Sequence, residues 1–80
     1  MHTELRYNTG EEVQIGDRVQ FLGTFATVVV VSDGETYQLA PGYEDHAGME
    51  RGLMICDDDG TLTSTNETDE RLSFVDRRTV

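Results

Sequence analysis

The residues able to do chemistry are few. The chain carries one cysteine, Cys56, and two histidines, His2 and His46. A Cys–His dyad requires an imidazole placed to orient and activate the thiol. Cys56 closes the apolar run Leu53-Met54-Ile55-Cys56, His46 stands in a stretch without regular period, and His2 lies beside the N-terminus. The simplest reading of Cys56 is a small buried hydrophobe. Carboxylates are plentiful, with sixteen Asp and Glu in 80 residues. Acid–base catalysis, however, requires a carboxyl of raised pKa inside a pocket. One Cys and two His do not make the four-ligand set of structural zinc. Asp57-Asp58-Asp59-Gly60 has the outline of a calcium loop, but a required ligand position falls on Ile55, and Asn66 stands where the bidentate Glu belongs. It reads instead as an acidic β-turn. No glycine pair is followed by the Lys-Ser/Thr of a phosphate-binding loop. The expectation is a non-enzymatic chain with no metal and no cofactor.

A binding surface is the remaining chemistry. Tyr43, Glu44, Asp45, His46, Met49 and Glu50 place an aromatic ring, a flexible thioether and several acids in one irregular segment. An aromatic anchor ringed by charge has the composition of an interface hot spot. The candidate partner-binding residues are Tyr43, Glu44, Asp45, Met49 and Glu50, joined by Asp57, Asp58 and Asp59 of the acidic turn. The other reading of the segment has Tyr43 and Met49 folding back to cap one end of the core. Both readings are open at this level.

Charge narrows the partner. Sixteen acids face six Arg, and Lys is absent, for a net charge of −10. Residues 32–70 hold eleven of the acids and only Arg51, so the entire surplus lies in the middle of the chain. Such a field repels phosphate backbones and anionic lipids and attracts basic surfaces. Direct nucleic-acid binding would need a basic stripe, which is missing. Two plainer uses of the charge are solubility and adaptation to high salt. Reversing Asp57, Asp58 and Asp59 to Lys is expected to slow encounter with a basic partner and to leave the fold almost unchanged.

The elements that must position these groups are strands. Leu5-Arg6-Tyr7 and Val13-Gln14-Ile15 alternate apolar and polar residues around the turn cluster Asn8-Thr9-Gly10. Gly16-Asp17 breaks the chain, and Val19-Gln20-Phe21 resumes the period of two. After Gly23, Phe25, Thr27, Val29 and Val31 fall on one face, and Ala26, Val28 and Val30 on the other. A strand apolar on both faces is central or shared between two layers. Asp33-Gly34 is the strongest hairpin signal, Thr36 to Leu39 the returning strand, and Pro41-Gly42 its end. Residues 43–52 form a loop or a short helical turn. Leu53 to Cys56, Thr61 to Thr65 and Arg71 to Val75 complete the set, and residues 76–80 are expected to fray. The pattern predicts one domain over residues 1–80, all-β, with five or six short antiparallel strands in a small barrel or sandwich.

No stretch approaches the roughly 20 apolar residues of a membrane helix. The opening Met1-His2-Thr3-Glu4 is unlike a signal peptide. With its lone cysteine, the chain suits a reducing cytoplasm.

Gly16-Asp17-Arg18-Val19-Gln20-Phe21, then Gly23, then Thr27-Val28-Val29-Val30 resembles the opening of SH3-like barrels of the translation and KOW type. A longer series, Leu5-Arg6-Tyr7, Gly16 to Val19, Val28 to Val31, Tyr43, Gly52-Leu53-Met54-Ile55 and Leu72 to Val75, is similar to short bacterial SH3-like proteins that look like immunity partners of secreted toxins. The chain departs from that pattern where Glu44 follows Tyr43 in place of Pro, and where no Trp stands near Gly48. The resemblance implies an SH3-like barrel. It also implies an immunity or inhibitor protein that occludes the active site of a basic toxin. The alternative is an SH3-like adaptor docking on a ribosomal, transcription or other cellular assembly.

Overall fold

A computed structural model describes residues 5–34, 36–43 and 51–77. Six strands, β1 (Asp17–Phe21), β2 (Thr24–Ser32), β3 (Tyr37–Leu39), β4 (Gly52–Asp57), β5 (Leu62–Thr65) and β6 (Leu72–Arg77), form one antiparallel sheet. Its order is β5-β4-β2-β1-β6, with β3 alongside β2. Strand β2 has three partners. It pairs with β1 through Thr24 to Thr27, with β3 through Val30 to Ser32, and with β4 from Ala26 to Ser32. This is the shared strand that the double-faced Val run predicted.

The sheet curls around one core. Leu5, Tyr7, Val13, Val19, Ala26, Val28, Val31, Leu53, Ile55 and Leu72 are buried together, with Ile15, Phe21 and Phe74 packed against them. The extents of 29 × 27 × 24 Å are nearly equal, whereas a flat sheet is one layer thin, two packed layers being only about 10 Å apart. The chain is all-β, with six antiparallel strands in one sheet curled into a small barrel-like fold, as its sequence implied.

Two bulges shape the curl. Val28 pairs with Ile55 but Val30 pairs with Met54, so Val29 is an extra residue in β2. Arg18 pairs with Asp76 but Val19 pairs with Phe74, so Val75 is an extra residue in β6. A bulge bends its strand and resets which face the following residues occupy. The strict alternation expected along β2 therefore fails after Val28, and Val31 joins Ala26 and Val28 in the core.

The N-terminal segments differ from expectation in pairing, not in facing. Residues 5–7 and 13–15 form no strand, and the one bridge in this region joins Arg6 to Glu12, just before the second segment. The Val13 N–H donates to Leu5 O at 2.9 Å and the Tyr7 N–H to Glu11 O at 2.9 Å. Leu5, Tyr7 and Val13 are nonetheless buried. The returning limb turns away at Gly16, whose N–H donates to Val28 O, before a ladder can extend. At the other end, β6 runs through Asp76 and Arg77, which pair with Arg18 and Asp17. Those two residues are strand and not frayed tail.

Candidate functional site

The acidic turn between β4 and β5 is built by its own first carboxylate. Asp57 Oδ1 accepts the N–H groups of Asp59 at 3.0 Å and Thr61 at 2.9 Å. The Gly60 N–H donates to Asp57 O and the Asp57 N–H to Thr61 O, both at 3.0 Å. Gly60 has φ of 89°, the left-handed position that closes such a hairpin with glycine. Asp58 is exposed and paired with Arg18 at 3.0 Å. Asp59 is exposed at the tip. The three acids thus have three different roles, and a triple Lys reversal would break the turn that Asp57 holds. The fold is therefore not expected to stay unchanged under the triple reversal. Asp59 is the residue that can be reversed without touching the turn's carboxylate.

Tyr43 follows a turn in which its N–H donates to Ala40 O at 3.1 Å. It is half-buried and engaged with Cys56 of β4. That hydrogen bond pushes the Tyr43 phenol above its ordinary pKa, and desolvation adds to the shift. Tyr43 is thus placed beside Cys56 of β4. Glu44, Asp45, Met49 and Glu50 lie outside the described residues.

Arginines from outside the acidic middle reach into it. Arg18 takes Asp58, and Arg71 takes Asp69 at 2.7 Å. Arg51 takes Glu67, which is buried. Arg6 donates to Gly10 O at 3.1 Å. The guanidinium of Arg18 also lies 5.7 Å from the Phe25 ring centre, and that of Arg71 lies 5.2 Å from Phe21. Every guanidinium described is held within the chain, and the charge of the middle segment is less one-sided in space than in sequence.

Asp69 is the hub of the loop between β5 and β6. Its carboxylate accepts Arg71 Nε and Nη2, the Arg71 N–H at 2.9 Å, and the Thr65 hydroxyl at 2.7 Å. These donors, Arg71 foremost, hold the Asp69 carboxyl far below the usual carboxylate range. A group whose pKa is lower folded than unfolded adds stability above its unfolded pKa, and that stability is lost as pH falls toward the folded value. The Asp69 contribution is therefore whole at neutral pH and declines below about pH 4. Asp69→Asn is expected to flatten the acid limb of a plot of urea midpoint against pH. An acid limb identical to that of the parent chain would exclude this role.

A cleft of about 220 Å³ opens at one end of the barrel, between the β1–β2 turn and the β4–β5 hairpin. Phe21, Ala26 and Ile55 supply its apolar wall, and Leu22, Thr24 and Thr63 also line it. Asp57 brings its only carboxylate among the described lining residues. Of the candidate partner-binding residues that are described, Tyr43, Asp57, Asp58 and Asp59, Asp57 alone lines this cleft. The other lining residues are not predictable from local pattern, because they converge from four strands and a turn. One local sign exists: Leu22 precedes Gly23 in a two-residue hairpin turn, where Asn, Asp or Gly is the usual residue.

Among the described residues there is no group of three or more His, Cys, Asp and Glu placed to hold a metal. No helix among them is long and apolar enough to cross a membrane. Comparison with protein-family models, curated proteins and solved structures gives no match to this chain.

Proposed function

We propose that this chain is a non-enzymatic acidic binding protein that docks on a basic protein surface. In that reading it is an immunity or inhibitor protein that occludes the active site of a cognate basic toxin. The observation that carries the reading is the fate of the cations. Arg6, Arg18, Arg51 and Arg71 are each engaged within the chain, while the net charge is −10 and acids such as Asp59, Glu70 and Asp76 are exposed. These four described arginines face their own chain, and the net charge of −10 makes the molecule an anion toward anything that approaches it. A basic cleft is the complement of such a surface, and complementary fields raise the rate of encounter. Buried contacts then set the rate of escape. The adaptor alternative draws on the barrel alone, and a barrel by itself does not specify function.

The test is association with the product of the adjacent gene. The expected result is a tight complex that abolishes that product's activity. Its association rate should fall by about tenfold or more as salt rises from about 0.02 to 0.2 M. Asp59→Lys should slow association without lowering the melting temperature. An adjacent product that is not basic, or a complex indifferent to salt, removes the reading. Capture of a ribosomal or transcription component in its place would establish the adaptor.

A further inference from the structure

We infer that the cleft at the barrel end is a lysine-side-chain site, the point at which a basic protein partner inserts one aliphatic ammonium. This inference rests on the docking reading above and names the place where docking occurs.

Three observations converge on it. The first is chemical asymmetry. Phe21, Ala26 and Ile55 form an apolar wall, and Asp57 sets a carboxylate against it. A lysine stem lies along apolar surface while its head seeks charge. The second is the state of Asp57. Oδ1 is taken by the Asp59 and Thr61 N–H groups, and among the described residues no donor reaches Oδ2. The side chain is half-buried and lines the cleft, and no Lys or Arg is among the residues lining it. Arg71 lies over Phe21, but its charge is matched by Asp69. The third is Leu22. It is 66 % exposed at the lip and has φ of 52°, a left-handed conformation that glycine adopts freely and a leucine does not. An apolar side chain kept at that position against its backbone preference is accounted for if it closes over a ligand's stem.

The chemistry also selects among occupants. A volume of about 220 Å³ is below the roughly 300–1,000 Å³ of sites that enclose whole small molecules. One side chain fits, and a cofactor does not. A guanidinium binds carboxylate best through both oxygens. Asp57 offers one, which suits the compact ammonium of lysine. The hydroxyls of Thr24 and Thr63, on the same lining, are acceptors for its further N–H groups.

The experiment titrates the full chain with Nα-acetyl-lysine methylamide and follows backbone amide shifts by NMR. The arginine and norleucine analogues serve as the bidentate and uncharged comparisons. The lysine probe is expected to saturate in the millimolar range, with shifts confined to Leu22, Ala26, Ile55 and Thr63. Norleucine should bind at least about tenfold more weakly, and arginine more weakly than lysine. Asp57→Asn keeps an Oδ1 acceptor for the turn and removes the charge, so it should weaken lysine binding by about tenfold or more. Asp59→Asn should not change it. If Asp57→Asn disturbs the hairpin, Thr24→Trp, made at an exposed position of the lip, blocks the mouth and should abolish binding. Unsaturable shifts spread over Asp59, Glu70 and Asp76, or equal binding of norleucine, would overturn the site. Binding of arginine as tight as lysine would overturn the choice of lysine. Salt-sensitive capture of a basic partner that survives Thr24→Trp would overturn the cleft and leave the docking reading standing.

Discussion

Replacing Asp17 by Ala is expected to lower the unfolding free energy by about 3 kcal/mol or more. The carboxylate is fully buried, at 0 % exposure. Its Oδ2 accepts the Tyr7 phenol at 2.7 Å and the Gln14 N–H at 2.9 Å. Alanine leaves a buried hydroxyl and a backbone N–H without that acceptor, and each orphaned group costs about 1–3 kcal/mol. Chains of this length have a total stability of only about 4–12 kcal/mol, at 0.05–0.15 kcal/mol per residue. The loss is thus a large share, and the variant should melt far below the parent or fail to fold at 37 °C. Tyr7→Phe removes one donor and keeps the ring against Phe74, 5.1 Å away centre to centre. It should cost less than Asp17→Ala. Urea unfolding of both variants, followed by circular dichroism, checks the order. A loss below about 1 kcal/mol for Asp17→Ala would mean that the carboxylate is dispensable. The bond also gives a physical reason for two motifs to occur together, since Leu5-Arg6-Tyr7 supplies the phenol that the Asp of Gly16-Asp17 requires.

The fold was legible because its signals are local. Gly16-Asp17 marks where β1 begins, Asp33-Gly34, Pro41-Gly42 and the acidic turn mark where strands end, and Val density marks the shared strand β2. Three features were not legible, each because it depends on distant residues. The bulge at Val29 depends on distant residues: Val28 and Val30 on either side of it pair with Ile55 and Met54 of β4, and the Ala40 N–H donates to Val29 O at 2.8 Å. The pairing of Arg18 with Asp58 spans forty residues, so counting charge along the sequence overstated the isolation of the acidic middle. The cleft draws on β1, β2, β4 and β5, and only Asp57 was marked beforehand, as one of three equivalent acids. The fold makes them unequal. Asp57 shapes the turn and faces the cleft, Asp58 holds Arg18, and Asp59 is exposed at the tip.

Leu53→Ala is expected to cost about 3 kcal/mol, whereas Leu22→Ala, the same chemical change, should cost under about 0.5 kcal/mol. Leu53 has 0 % exposure and Leu22 has 66 %. Truncation in a core loses the transfer energy of the removed groups and adds the cost of the cavity left behind. Leu53 is poorly placed for relief by collapse. It lies in β4 opposite Val31 on one side and Thr65 on the other, and both neighbours are fixed by backbone pairing. A core cluster of ten buried residues among those described has little redundancy, so one cavity should be felt throughout the barrel. The amides of β2 and β4 are therefore expected to lose exchange protection together in Leu53→Ala, while Leu22→Ala leaves them protected. A cost below about 1 kcal/mol for Leu53→Ala would show that the two halves of the curled sheet are not packed on each other. The consequence reaches the cleft as well, because Ile55 of its wall lies two residues along the same face of β4. A loosened Leu53 should weaken lysine binding even where folding survives, whereas Leu22→Ala should weaken it with stability intact. Comparing the two variants separates a wall that is positioned by the core from a lip that acts on the ligand directly.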